Sequence, residues 1–217
     1  MLQELEFQVL ELYHEVDRAV TAYQAATGLN CPGGCVECCF SEKVEATVLE
    51  MVPLAFHLFR TCQAELILKR IEKEHRSHQC ILFRPDLSSP ESGGCSQYPF
   101  RALICRMFGF AGNIDRNGRP QLARCRNMPL QDESGKTQED IESEAMPLFH
   151  AYGIAITAIH PSLGTQRMPI NEALHQALAK VGLILDLEIV PVATTEEIDL
   201  PPDSPATTPS QPKRKAA

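Results

Sequence analysis

Four cysteines crowd into nine residues, Cys31-Pro-Gly-Gly-Cys35-Val-Glu-Cys38-Cys39, and five more follow singly at Cys62, Cys80, Cys95, Cys105 and Cys125. No other feature limits the fold so strongly. Pro32, Gly33 and Gly34 deny the run a regular helix at its start, so its first thiols belong to a loop. A chain of 217 residues buries a working core without covalent staples. The opening segment carries Glu4, Glu6, Glu11 and Glu15, and so lacks the basic start and unbroken apolar stretch of a signal peptide. The expected compartment is the cytoplasm, where thiols stay reduced. The odd cysteine count also argues against a simple disulfide framework.

The chemistry that uses such a pattern is soft-metal ligation. Thiolates bind zinc and iron–sulfur clusters far better than oxygen donors do. Ligands two or three residues apart on a glycine-rich loop can point to one centre, and the loop's N–H groups then damp the negative charge of the sulfurs. The dense run followed by spread single cysteines fits neither simple zinc template. Metal is therefore strongly indicated, and its identity is left open between iron–sulfur and zinc. Adjacent Cys38 and Cys39 point in different directions on a strand or a helix, so one is a structural thiol or the two serve different metals. The eight cysteines other than Cys62 suffice for two four-thiolate sites. Cys62 falls at helical spacing with Leu58, Phe59 and Leu66, which predicts a packed core thiol. His75 and His78 lie in a strongly charged stretch and are expected at a solvated helix end rather than as ligands.

Around the cysteines the chain reads as mainly helical. Leu2, Leu5, Val9, Leu12, Val16, Ala19 and Tyr23 recur at steps of three and four, predicting an amphipathic helix over 2–27 that stops at Gly28. A short strand is expected at 43–47. Thr47 and Glu50 have capping-box spacing for a second helix, which would run to about His75, with a start delayed by Pro53. Residues 79–131 are loop-rich. Further helices are expected over 137–151 and 170–180, the last closed by Gly182, with 153–160 either continuing a helix or forming a strand. Six of the sixteen prolines fall in 191–217, predicting a disordered tail. The expected organisation is one small helical domain over 1–190 with a loop-rich metal core at about 28–128. The net charge of −8 disfavours nucleic acid and anionic lipid as partners. There is no run of 18 apolar residues to span a membrane.

The cysteines carry a resemblance. Cys31, Cys35, Cys38 and Cys39 match the opening run of the YkgJ-type cysteine-cluster family, a zinc- or iron-chelating domain. Cys80-Ile81-Leu82 matches its next element. Cys95-Ser-Gln-Tyr98-Pro-Phe-Arg101-Ala-Leu-Ile-Cys105-Arg106-Met-Phe108 matches its later motif in every spacing. Ala102 and Gly109 stand where that family favours proline, and Cys125 fits a further downstream cysteine. The family includes a larger enzyme, flagellin lysine N-methylase, associated with an iron–sulfur cluster. The resemblance thus implies iron before zinc, with a 4Fe–4S cluster as the leading cofactor and Zn²⁺ as the alternative. The implied metal ligands are Cys31, Cys35, Cys38, Cys39, Cys80, Cys95, Cys105 and Cys125. Arg101, Arg106 and Tyr98 would lie beside the cofactor. The two arginines, with Arg124 and Arg126, could offset thiolate charge; alternatively they pair with acidic groups or cap carbonyls. Cys-x3-Cys-x2-Cys is also similar to the cluster motif of radical S-adenosylmethionine enzymes. Those place an aromatic residue where Glu37 stands, and need a strand–helix alternation that is missing here.

Three functional classes follow: an iron–sulfur protein of structural, storage or redox role, a zinc-stabilised interaction module, and a cluster-dependent protein-modifying enzyme. No catalytic residue, nucleotide loop or hydrolase triad can be named.

Overall fold

The computed structural model describes residues 2–74, 78–87, 93–128, 141 and 145–189. The expected tail at 191–217 and most of the helix expected over 137–151 lie outside the described residues. The elements in chain order are α1 (Leu2–Thr27), α2 (Glu37–Phe40), β1 (Glu45–Thr47), α3 (Val48–Arg60), α4 (Ala64–Lys73), β2 (Phe83–Pro85), β3 (Gly93–Cys95), a 3-10 turn (Tyr98–Phe100), α5 (Leu103–Met107), β4 (Gly112–Ile114), β5 (Pro120–Leu122), α6 (Phe149–Ile159), α7 (Pro161–Gly164), β6 (Arg167–Pro169) and α8 (Ile170–Ile189). The fold is mainly helical, with little sheet.

The centre is α3. Val48 to Phe56 and Leu58 are all buried, so this helix is enclosed on nearly every side and, Glu50 apart, meets its neighbours with apolar side chains. It packs against both α1 and α8. From α1 it receives the predicted stripe of Leu5, Val9, Leu12 and Val16, with Ala19 at its border; each fully buried leucine or valine contributes ~1.5–3 kcal/mol. The predicted capping box forms. Glu50 N donates to Thr47 Oγ1 at 3.2 Å, and Thr47 N donates to Glu50 Oε1 at 3.0 Å. Helix α3 therefore starts at Val48 despite Pro53, which lies inside it; the cap anchors the first turn ahead of the proline.

Among the described residues, three two-stranded antiparallel pairs complete the frame: β1 with β6, β2 with β3, and β4 with β5. The β1 strand is the one expected at 43–47. Ala46 opposite Met168 joins the start of α3 to the start of α8.

Three expectations are corrected. The helix expected from 47 to 75 is two helices, because α3 ends in a Schellman motif: Cys62 N donates to Phe59 O at 3.1 Å and Gln63 N to Leu58 O at 2.8 Å. Cys62 is the left-handed residue of that motif, with φ 56°, and is exposed rather than packed in the core. Helical spacing misplaced it because the helix has ended before it. Gly182 does not close the last helix, which continues to Ile189. A Cβ at Gly182 would sit 2.9 Å from the ring of Phe59, so this glycine is a notch for a neighbouring side chain. Residues 153–159 are helical, which decides between the two readings of that segment.

Candidate metal centre

All nine cysteines are free thiols. Eight of them, all but Cys62, line one cavity of about 420 Å³. Cys31, Cys35, Cys38, Cys39, Cys80, Cys95, Cys105 and Cys125 thus meet although they are spread from position 31 to position 125. Cys31 is exposed at the mouth, Cys125 is buried, and the other six are half-buried. Tyr98, Arg101 and Arg106 line the same cavity. His78 is elsewhere, exposed, with Nε2 3.6 Å from Glu42. Among the described residues no three histidine, cysteine, aspartate or glutamate side chains close on a single point as a preformed ion site; the thiols stand around a space.

Each thiol arrives by a traceable device. Cys35 N donates to Pro32 O at 3.1 Å, a tight turn that returns Cys35 toward Cys31. The one-turn helix α2 carries Cys38 and Cys39. Cys80 is held from two sides. Its N–H donates to Cys39 O at 2.8 Å, and Asn171, at the start of α8, brackets it by accepting from Ile81 N at 2.9 Å and donating to Gln79 O at 2.8 Å. Cys95 stands opposite Phe83 in the β2–β3 pair. Cys105 rides on α5, whose first N–H, Leu103 N, donates to the buried Glu50 Oε2 at 2.9 Å. Cys125 approaches the end of α5 at Gly109. There φ is +87°, and a Cβ would lie 2.5 Å from Met128 Sδ and 3.5 Å from Cys125 Cβ. Proline, locked near φ −65°, could not occupy position 109 in this conformation. Ala102, by contrast, has φ −60°, the angle a proline would impose.

The sulfurs feel one another. Cys38 is held down to about 6, chiefly by the hydrogen bond from the Cys39 thiol, with backbone N–H groups and the Arg101 guanidinium adding to it against desolvation. The same hydrogen bond, then burial, pushes Cys39 up. Burial raises Cys80 to about 11, with Cys95 and Cys38 adding. Burial and then the nearby Cys80, Cys38 and Cys95 raise Cys105. Cys31 is raised to about 11 by desolvation, then by Cys35, Cys38 and Cys125. Gathering so many potential anions is unfavourable unless a cation joins them.

Tyr98, Arg101 and Arg106, expected beside the cofactor, differ in role. Arg101 lies 3.8 Å over the ring of the exposed Tyr98 and lowers Cys38, Cys95 and Cys105. Its Nε is buried and, among the described residues, has no hydrogen-bond partner. A donor so placed costs ~1–3 kcal/mol and suits an anionic group in the cavity. Arg106 is buried and committed to the protein. Its Nε donates to Arg101 O at 2.9 Å, its other nitrogens reach Asp17 and Pro99 O, and its plane lies 4.1 Å over Tyr13. It fastens the 98–106 segment to α1. Arg124 is exposed, and Arg126 pairs with Glu37.

Two residues that serve the site were not singled out for it in the sequence. The capping role of Glu50 was legible, but its second oxygen acts on a residue 53 positions away. The Asn171 bracket spans 90 or more positions and left no local signal.

Comparison with protein-family models, with curated proteins and with solved structures gives no match. The resemblance to the cysteine-cluster family accordingly rests on the motif and its spacing.

Proposed function

We propose that this chain is a thiolate-ligated metal protein whose cavity holds an iron–sulfur cluster of the 4Fe–4S kind. The observation that supports this reading is the convergence of eight cysteines from separate loops, helices and strands on one cavity while the remaining cysteine stays outside. Thiols placed for packing alone would have no reason to share a wall. The donor set is all sulfur, which suits iron–sulfur clusters and zinc and disfavours magnesium, calcium and manganese. The orphaned Arg101 Nε fits the same picture, since a four-thiolate centre is anionic and such clusters are tuned by hydrogen bonds to sulfur.

A bound cluster would supply one-electron transfer. The chain's own residues supply the rest. The cysteines ligate, Arg101 offsets charge, Glu50 and Asn171 hold Cys105 and Cys80 in place, and the half-buried wall limits solvent access. No side chain is assigned to a substrate.

The test is purification without oxygen, followed by a visible spectrum and elemental analysis of one sample. The expected protein is brown, contains iron and acid-labile sulfide, and is bleached by dithionite. A colourless protein with stoichiometric zinc would replace the iron–sulfur reading with that of a metal-stabilised module. A protein without metal would end both.

A further inference from the structure

The eight thiols divide in space differently from their order in the chain. Cys125, last in sequence, is fastened to the first loop. Asn127 Nδ2 donates to Cys35 Sγ at 3.7 Å, Arg126 pairs with Glu37, and Gly109 leaves room for the turn that carries Cys125. On the other side Cys80 N donates to Cys39 O at 2.8 Å, and Cys80 O accepts from Phe83 N at 3.0 Å. Phe83 in turn stands opposite Cys95. Cys80 and Cys95 are the neighbours that Cys105 feels, together with Cys38, whereas Cys31 feels Cys35, Cys38 and Cys125. Cys38 lies where the two sets meet, felt by Cys80, Cys95 and Cys105 as well as by Cys31, and the backbone tie of Cys39 to Cys80 assigns Cys39 to the second set and leaves Cys38 to the first. The Cys39 thiol donates to Cys38 here, so α2 brings both sulfurs to the boundary between the sets; because their Cα–Cβ bonds leave the helix about 100° apart, side-chain rotation turns them to different centres.

We propose that the cavity holds two metal centres, one on Cys31, Cys35, Cys38 and Cys125 and the other on Cys39, Cys80, Cys95 and Cys105. This rests on the reading that these thiols bind metal, and adds which thiols act together. Each centre has four sulfurs and needs no further ligand, the closed arrangement of structural or electron-carrying sites rather than of a centre with an open position. A division by position in the chain alone, with Cys31, Cys35, Cys38 and Cys39 on one centre and the later four on the other, predicts different partners for Cys125.

Double variants separate the two groupings. Metal and sulfide per chain are measured in the whole protein and in Cys35→Ser, Cys105→Ser, Cys125→Ser and the paired changes. Each single change is expected to halve the metal content. Cys35→Ser with Cys125→Ser should lose no more than either alone, and Cys105→Ser with Cys125→Ser should lose all of it. The reverse pattern would overturn the grouping. Because a variant can fail to fold, the unaltered protein is also stripped stepwise with a chelator and alkylated with iodoacetamide. The thiols freed first are expected to be one of the two sets; a mixed set overturns the proposal. Two zinc ions per chain with this pattern would uphold the grouping and remove only the iron–sulfur reading. A single centre would remove the grouping and leave metal binding, and no metal would remove both.

Discussion

Cys62 holds a left-handed backbone conformation at φ 56°, which costs an L-residue ~1–2 kcal/mol that glycine avoids. Glycine gives back part of this as entropy lost on folding. Cys62→Gly is therefore expected to raise stability by ~0.5–1 kcal/mol, read as a higher denaturant midpoint. Metal content should not change, because Cys62 lies outside the cavity; a fall would place it among the ligands. The same contrast shows what sequence can disclose about a single residue. The crowding of the thiols over 31–39 was readable because their spacing is local. Whether the isolated Cys62 was core or surface depended on where a helix stopped, and hydrophobic spacing is blind to a break made by backbone hydrogen bonds.

Helices α3 and α5 are joined through one carboxylate. Glu50 accepts from Thr47 N and Leu103 N, caps one helix start and satisfies an N–H at the other, and so couples the core to the element that carries Cys105. Burial, the largest influence on this group, raises its carboxyl above the ordinary 4.5, against the hydrogen bonds that lower it. A raised acid favours the fold when protonated. Its contribution is complete below the unfolded value of 4.5 and declines as pH rises through the folded one. Glu50→Gln should remove that slope from a plot of stability against pH. It should also lose ~1–3 kcal/mol at neutral pH, because an amide has one acceptor oxygen for two N–H groups and sets its own NH₂ against the other. Denaturation at a series of pH values checks both; an unchanged slope would mean that Glu50 is not the titrating group. The capping box was legible because its partners are three residues apart, and the bond to Leu103 was not, because only packing brings α5 to that place.

The architecture holds its thiols with few regular elements. Cysteines from a loop, the one-turn α2, a short strand pair, the five-residue α5 and an irregular turn meet against the frame of α1, α3 and α8. Such short segments bury little apolar surface, so metal ligation is expected to supply much of their order. A ligand present at a hundred times its dissociation constant adds ~2.7 kcal/mol, which for a chain of this length corresponds to about 5–11 °C in melting temperature. Removing the metal should lower the midpoint of thermal unfolding by at least that much and expose the β2–β3 region to protease first. An unchanged midpoint would show that the fold forms without it. The long amphipathic α1, the capped start of α3 and the mainly helical class followed from sequence alone, because each depends on residues within a few positions of one another. Tertiary structure alone decided that Cys125 lies beside Cys35, that Asn171 brackets Cys80, that Arg106 holds α1 rather than a thiolate, and that the buried Arg101 Nε has no partner among the described residues. These depend on segments tens of residues apart, joined by core packing that no local pattern records.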